Sequence, residues 1–146
     1  MSEQETLAFR DADPDDAAWM AATLTDEGYP AGESDLARRL DRFAAPGSLV
    51  RVAESDGSRL GFVACHLMQR LEREDPIVRV IALLVDAEAR ERGVGAGLLA
   101  EVERIAREAG AGYIEVTSGH HRPEATRLYE RAGFDSTLTT YLRKHL

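Results

Sequence analysis

Residues 77–110, IVRVIALLVDAEARERGVGAGLLAEVERIAREAG, constrain the fold more than any other stretch of this chain. IVRVIALLVD (77–86) is rich in branched apolar residues and bounded by turn signals, which predicts a buried strand. From Val94, the residues Leu98, Leu99, Val102, Ile105, Ala106 and Ala109 recur as one helical stripe, and Gly110 ends it. Between strand and helix lies a short polar turn, and the helix opens on Gly93, Gly95 and Gly97. Unpaired amides at a helix N-terminus, together with the helix dipole, attract a phosphate. Glycine removes the Cβ that would hold a bulky anion away from them. Arg90 and Arg92 precede the helix and supply positive charge.

The flanking sequence sets this unit in an α/β frame. TLAFRDA (6–12) alternates as a short strand, and Asp13-Pro14-Asp15-Asp16 supplies a cap, a proline and acids for a helix running to about Thr25. A second helix carries Leu36, Leu40 and Phe43 and stops at Pro46-Gly47. LVRVAES and RLGFVACHLM flank Asp56-Gly57 as a hairpin. After the glycine helix, GYIEVTS (112–118) is a further strand, and Pro123 opens a last helix that ends at Gly133. The tail STLTTYLRKHL reads as a final strand. The order β-α-α-β-β-β-α-β-α-β describes a single domain over 1–146, antiparallel in its first half, with one strand-helix-strand crossover after residue 77.

Charge and composition narrow the function. A net charge of −8 argues against a broad nucleic-acid-binding face. No apolar run reaches membrane-spanning length, and MSEQETLAFR begins polar and acidic, unlike a signal peptide. A lone cysteine, Cys65, excludes an internal disulfide framework and fits a reducing, cytoplasmic compartment.

Three phosphate-binding motifs compete for the glycines. A P-loop needs a lysine after its last glycine, and Lys144 is the only lysine in the chain. The dinucleotide fingerprint G-x-G-x-x-G fails at its third glycine, where Leu98 stands, although Glu115 lies at about the distance that motif requires of its acid. The third motif, R-x-x-G-x-G, is met by Arg90, Gly93 and Gly95 directly after a branched strand. This stretch resembles the acetyl-CoA-binding signature of the GCN5-related N-acetyltransferase (GNAT) superfamily. HRPEATRLYERAGF (121–134) is similar to the second signature helix of that family. The resemblance is firm from about residue 48 to the end and looser through the two N-terminal helices.

The resemblance implies an α/β (α+β) fold with a central mixed, mostly antiparallel sheet of 6–7 strands and about four helices. It implies acetyl-CoA as co-substrate, with its pyrophosphate on the amides of Arg90, Glu91, Arg92, Gly93, Val94 and Gly95, and with Ala96 and Gly97 opening the helix behind. The strand would splay from GYIEVTS, and its backbone at Leu83, Leu84 and Val85 would pair with the pantetheine arm. Leu83 N–H would stabilise the tetrahedral oxyanion, and Tyr129 would protonate the departing thiolate. The implied reaction moves an acetyl group to a primary amine by direct attack in a ternary complex. The alternative is a CoA-binding regulatory module without turnover. Neither a metal, a nucleic acid nor a membrane enters either reading, and the resemblance is compatible with a homodimer.

Two departures bear on mechanism. Gly119 stands where many relatives carry asparagine, and Arg79 stands where many carry a strand glutamate. A proton acceptor for the substrate ammonium must then come from elsewhere: His66, the acids Glu72, Glu74 and Asp75, or His120 and His121. Cys65 and His66 are adjacent on a strand and point to opposite faces, which argues against a Cys-His nucleophile. The acceptor is expected to be a small amine, by similarity to aminoalkylphosphonate and aminoglycoside N-acetyltransferases, or else a peptide.

Overall fold

The computed structural model describes residues 6–118 and 122–146. Five strands form one sheet in the order of the chain: β1 (Ala8–Asp11), β2 (Ser48–Ser55), β3 (Ser58–Met68), β4 (Ile77–Val85) and β5 (Ile114–Val116). Strands β1 to β4 pair antiparallel, and β5 pairs parallel to β4. The parallel pair is joined through helix α3 (Val94–Glu108), which is the crossover that the alternating strand and helix patterns predict.

Two apolar layers sandwich the sheet. On one face, Leu98, Val102 and Ala106 of α3 pack on Val63, Cys65, Val78 and Val80. On the other, α1 (Ala17–Asp26) and α2 (Glu33–Arg42) pack Met20, Ala21 and Leu36 on Val50, Val52, Phe62 and Leu84. The period-2 alternation along β3 therefore sends Cys65 under α3 and His66 to the α2 side, as the sequence predicts. The β2–β3 hairpin closes on Asp56 (φ 49°) and Gly57 (φ 79°), both left-handed, as a primed two-residue turn requires.

Three expectations change. The first helix divides into a single 3₁₀ turn, Pro14–Asp16, and α1, because Asp16 turns its carboxylate back to the Asp13 N–H (2.8 Å). The strand expected over 112–118 shortens to Ile114–Val116, since its ladder with β4 ends at Val80. The tail 136–146 forms no strand. Leu138, Leu142 and Leu146 are exposed, and a three-residue β5 offers too little edge for the alternating tail to pair with. Among the described residues the sheet accordingly has five strands, rather than the six or seven expected. The last helix, α4 (Pro123–Arg131), forms as predicted and ends before Gly133, whose φ is +96°.

Candidate active site

The site begins with a fault in the sheet. Ala64 pairs with Ala82 and Cys65 with Val80, so Ile81 is an extra residue that bulges β4. Beyond that bulge β4 continues to pair with β3, but β5 does not follow it: the β4–β5 ladder covers only Val78–Val80 against Ile114–Val116. Residues 81–85 thus have a strand neighbour on one side only, among the described residues. The direction of the backbone groups there follows from alternation. Asp86 N–H bonds Leu60 O on β3 (2.8 Å), so the N–H of Leu84 points the same way, and those of Leu83 and Val85 face the split.

The turn that follows is shaped for close backbone approach. Asp86 caps a 3₁₀ turn (Ala87–Ala89) by accepting from Glu88 N–H (2.9 Å) and also accepts from the indole Nε1–H of Trp19 on α1 (2.9 Å). Glu91 (φ 62°) and Gly93 (φ 80°) are both left-handed, and α3 starts at Val94. A Cβ added at Gly93 would meet nothing within 4 Å, so its face is open. Gly97 N–H bonds Gly93 O (3.0 Å), which leaves the amides of Val94, Gly95 and Ala96 as the helix donors ahead of the first intrahelical bond.

The three glycines divide their work. Gly93 supplies the left-handed turn. Gly95 admits α4: a Cβ there would lie 3.0 Å from Leu128 Cδ2. Gly97 admits β1 and the residue before it, because a Cβ would lie 2.5 Å from Leu7 Cδ1 and 3.6 Å from Phe9 Cζ. Sequence spacing alone groups all three as a phosphate cradle, whereas two of them serve close packing.

Helix α4 is therefore seated on the start of α3, and Ser118 Oγ to Thr126 Oγ1 (2.9 Å) ties it to the end of β5. Tyr129 follows Leu128 on that helix. The phenol is half-buried, with its ring edge-on to Phe134 at 5.8 Å. Burial pushes its pKa above the ordinary tyrosine value, with Arg122 pulling weakly the other way.

Arg90 and Arg122 share one partner that the sequence does not reveal. Glu27, just past α1, ion-pairs with Arg90 and with Arg122 (3.1 Å), and Arg122 also bonds Glu27 O (2.9 Å) and lies over the Tyr29 ring. One carboxylate thus links the end of α1, the glycine turn and the start of α4. Arg92 reaches back to Glu88 O (3.5 Å).

Among the proton-acceptor candidates, His66 is half-buried on the α2 face, stacked on Phe43 (5.0 Å, 14°) with Nδ1 3.0 Å from Ser48 Oγ. Asp75 is paired to Arg70 (2.5 Å) ahead of β4, eight positions before Leu83, on the order of 25 Å of extended chain. Glu72 and Glu74 are exposed in the same loop, earlier still in the chain. His120, His121 and Gly119 lie outside the described residues. Arg79 pairs with Glu115 across β4 and β5 (3.4 Å).

The family model for the acetyltransferase (GNAT) family matches residues 12–134. An aminoalkylphosphonate N-acetyltransferase of Salmonella typhimurium is 32% identical over 106 residues, covering 70% of this chain and 69% of that protein. Among solved structures, a transcriptional regulator from Bacillus halodurans superposes with a TM-score of 0.88 at 21% identity, covering 97% of this chain and 100% of that one. A GNAT family acetyltransferase from Staphylococcus aureus superposes with a TM-score of 0.78 at 21% identity, covering 95% and 98%. These structural likenesses extend over nearly the whole chain and speak to its fold.

Proposed function

The chain belongs to the GNAT acetyltransferase family and is an N-acetyltransferase, and from that premise we propose that it moves the acetyl group of acetyl-CoA to the primary amine of a small molecule by direct attack in a ternary complex. The observation that carries this reading is the one-sided stretch 81–85 beside the open N-terminus of α3. A strand lacking a neighbour accepts an extended amide-bearing arm, and the exposed helix amides accept a pyrophosphate.

On this reading, Arg90 to Ala96 hold the pyrophosphate through their main chain, with Gly93 giving the necessary turn. Leu83 to Val85 line the pantetheine arm, and Leu83 N–H donates to the carbonyl oxygen as it gains charge. The acceptor nitrogen bonds to the carbonyl carbon, the C–S bond breaks, and Tyr129 gives its proton to the departing sulfur. A phenol is protonated at neutral pH, as that acid role requires, and burial shifts its ionisation further from that range. A small-molecule acceptor is favoured by the relative from Salmonella typhimurium, whose name gives an aminoalkylphosphonate as its substrate.

The test is direct. The protein is incubated with acetyl-CoA and a panel of primary amines that includes aminoalkylphosphonates and aminoglycosides, and free thiol release is followed. We expect saturable acetyl-CoA binding and amine-dependent release. Absence of acetyl-CoA binding removes the site assignment, and binding without release on any amine removes small-molecule transfer.

A further inference from the structure

The two arginines that share Glu27 come from opposite sides of the split. Arg90 lies on the segment that leaves β4 at Val85 and enters the left-handed turn ahead of α3. Arg122 lies on the segment that leaves β5 at Val116 and is the residue ahead of α4. The two strands run parallel and pair no further than Val80 and Val116, so a link from Arg90 to Arg122 joins the segments that leave them. Glu27 makes that link from a third element, the end of α1, with one carboxylate oxygen for each cation. Oε1 accepts from Arg90 Nη2, and Oε2 accepts from Arg122 Nη1 (3.1 Å). The two grips are unequal. Arg122 is held again by Glu27 O (2.9 Å) and lies over the Tyr29 ring (5.3 Å). The Arg90 side chain is 51% exposed, and among the described residues Glu27 is its one ion-pair partner.

We propose that Glu27 is a built-in counterion of the coenzyme site, a positioning residue whose carboxylate holds Arg90 in the empty site and yields it to the coenzyme pyrophosphate on binding. The inference rests on the acetyl-transfer reading above and adds to it a residue from outside the two signature segments. A pyrophosphate on the amides of Val94 to Ala96 competes for the guanidinium that starts the same turn. The competition favours the phosphates. A guanidinium takes a phosphate in a bidentate, charge-assisted pair, whereas Glu27 gives Arg90 one oxygen at a half-exposed position, where ion pairs are weak. Arg122 stays with Glu27, because its second bond is to the main-chain oxygen of the same residue.

Charge fixes the direction of the effect. In the empty site two guanidinium groups share one carboxylate. Binding exchanges the Arg90–Glu27 pair for an Arg90–phosphate pair and leaves the Glu27 carboxylate on the same cluster as an anion. Both changes oppose binding, so Glu27 lowers the affinity for the coenzyme and speeds its departure after transfer. A residue that served only as a strut between α1, the turn and α4 would act with the opposite sign, because its loss would loosen the site.

Glu27→Gln keeps the length of the side chain and a carbonyl acceptor and removes the charge. Calorimetric titration with acetyl-CoA, with no acceptor amine present, is expected to give a Kd about threefold below that of the wild type. Its affinity should also fall more steeply as salt is raised, since an ion pair then forms with none broken. Glu27→Asp draws the carboxylate back by one methylene and should move the Kd the same way by less, which covers a Gln variant that folds poorly. In an Arg90→Gln background the gain from Glu27→Gln should shrink below about twofold, because the pair that it relieves is gone. A Kd that is unchanged or higher in both Glu27 variants overturns the assignment while the coenzyme site stands. A gain that persists in full without Arg90 overturns the exchange. A wild type that binds no acetyl-CoA removes the acetyl-transfer reading itself.

Discussion

The indole of Trp19, in the first turn of α1, donates to Asp86 Oδ2 at 2.9 Å, while the other carboxylate oxygen of Asp86 caps the turn leading to the glycines. Helix α1 is thereby bonded to the loop that precedes α3. Trp19 is the only tryptophan in the chain, so its emission reports on that loop. A saturable change in its fluorescence is expected on titration with acetyl-CoA. Asp86→Ala loses a cap worth about 1 kcal/mol and should weaken acetyl-CoA binding about fivefold, with kcat at saturation preserved. A flat titration with an unchanged Kd would count against this link.

Tyr129→Phe keeps the ring that packs on Phe134 and removes only the hydroxyl. Turnover should fall by about 100-fold at unchanged acetyl-CoA affinity. Because burial raises the phenol, the wild type should keep its activity past the ordinary tyrosine value of about 10, and any loss from phenol ionisation should come at higher pH. An unchanged rate in the variant removes Tyr129 as the acid.

Gly93→Ala and Gly97→Val separate conformation from packing. At Gly93 the added Cβ meets nothing, so the cost is the left-handed backbone, about 1–2 kcal/mol, and it falls on the turn itself. Gly97→Val drives a side chain into Leu7 and Phe9, an overpacking of about 1–3 kcal/mol at roughly 2–4 °C of melting temperature for each. Calorimetric acetyl-CoA binding should suffer more in Gly93→Ala, and thermal stability more in Gly97→Val. The reverse ranking would refute this division of the glycines.

Asp16 is fully buried and accepts two bonds from Arg10 (both 2.8 Å) and one from Arg59 (2.7 Å). Burial by itself would raise its pKa. The bonds from Arg10, the Asp13 N–H and Arg59 outweigh that and bring it down to about 2. A pKa lowered on folding adds stability above the unfolded value near 4, on the order of 2 kcal/mol, and that stability is lost as pH falls from about 4 toward 2. Asp16→Asn leaves two guanidinium groups short of a charge and should cost about 3 kcal/mol at neutral pH. Urea unfolding at pH 7 and at pH 3 checks both, and the variant should show the weaker dependence on acid.

Cys65 is wholly buried beneath α3, and burial pushes its thiol up to about 11. The folded protein should resist an aromatic disulfide reagent at pH 8, reacting at one thiol once urea unfolds it. Rapid native labelling would contradict the packing of α3 on β3.

Most of the frame was legible in the chain because each element carries a local signature. The stripe from Val94 to Ala109, the Asp56-Gly57 turn and the β-branched run of β4 each depend on residues within a few positions. The tail misled for the same reason. STLTTYLRKHL has strand-like alternation, but a strand exists only where another edge receives its hydrogen bonds, and β5 is three residues long. The glycines were grouped by spacing, although what fills the space above Gly95 and Gly97 comes from Leu128 and Leu7, far away in sequence.

By itself, the sequence determined the order of the elements as far as the last helix, the glycine-led helix start, the opposite faces of Cys65 and His66, and the family to which these signatures belong. Those are consequences of period, backbone freedom and short-range caps. Only the tertiary structure decided where β5 parts from β4, that Glu27 joins Arg90 to Arg122, and that Arg79 faces Glu115 in line with His66 and Ser48. These depend on register between segments tens of residues apart. Strand register is set by the packing of whole faces on α1, α2 and α3, not by any residue's own neighbours in the chain.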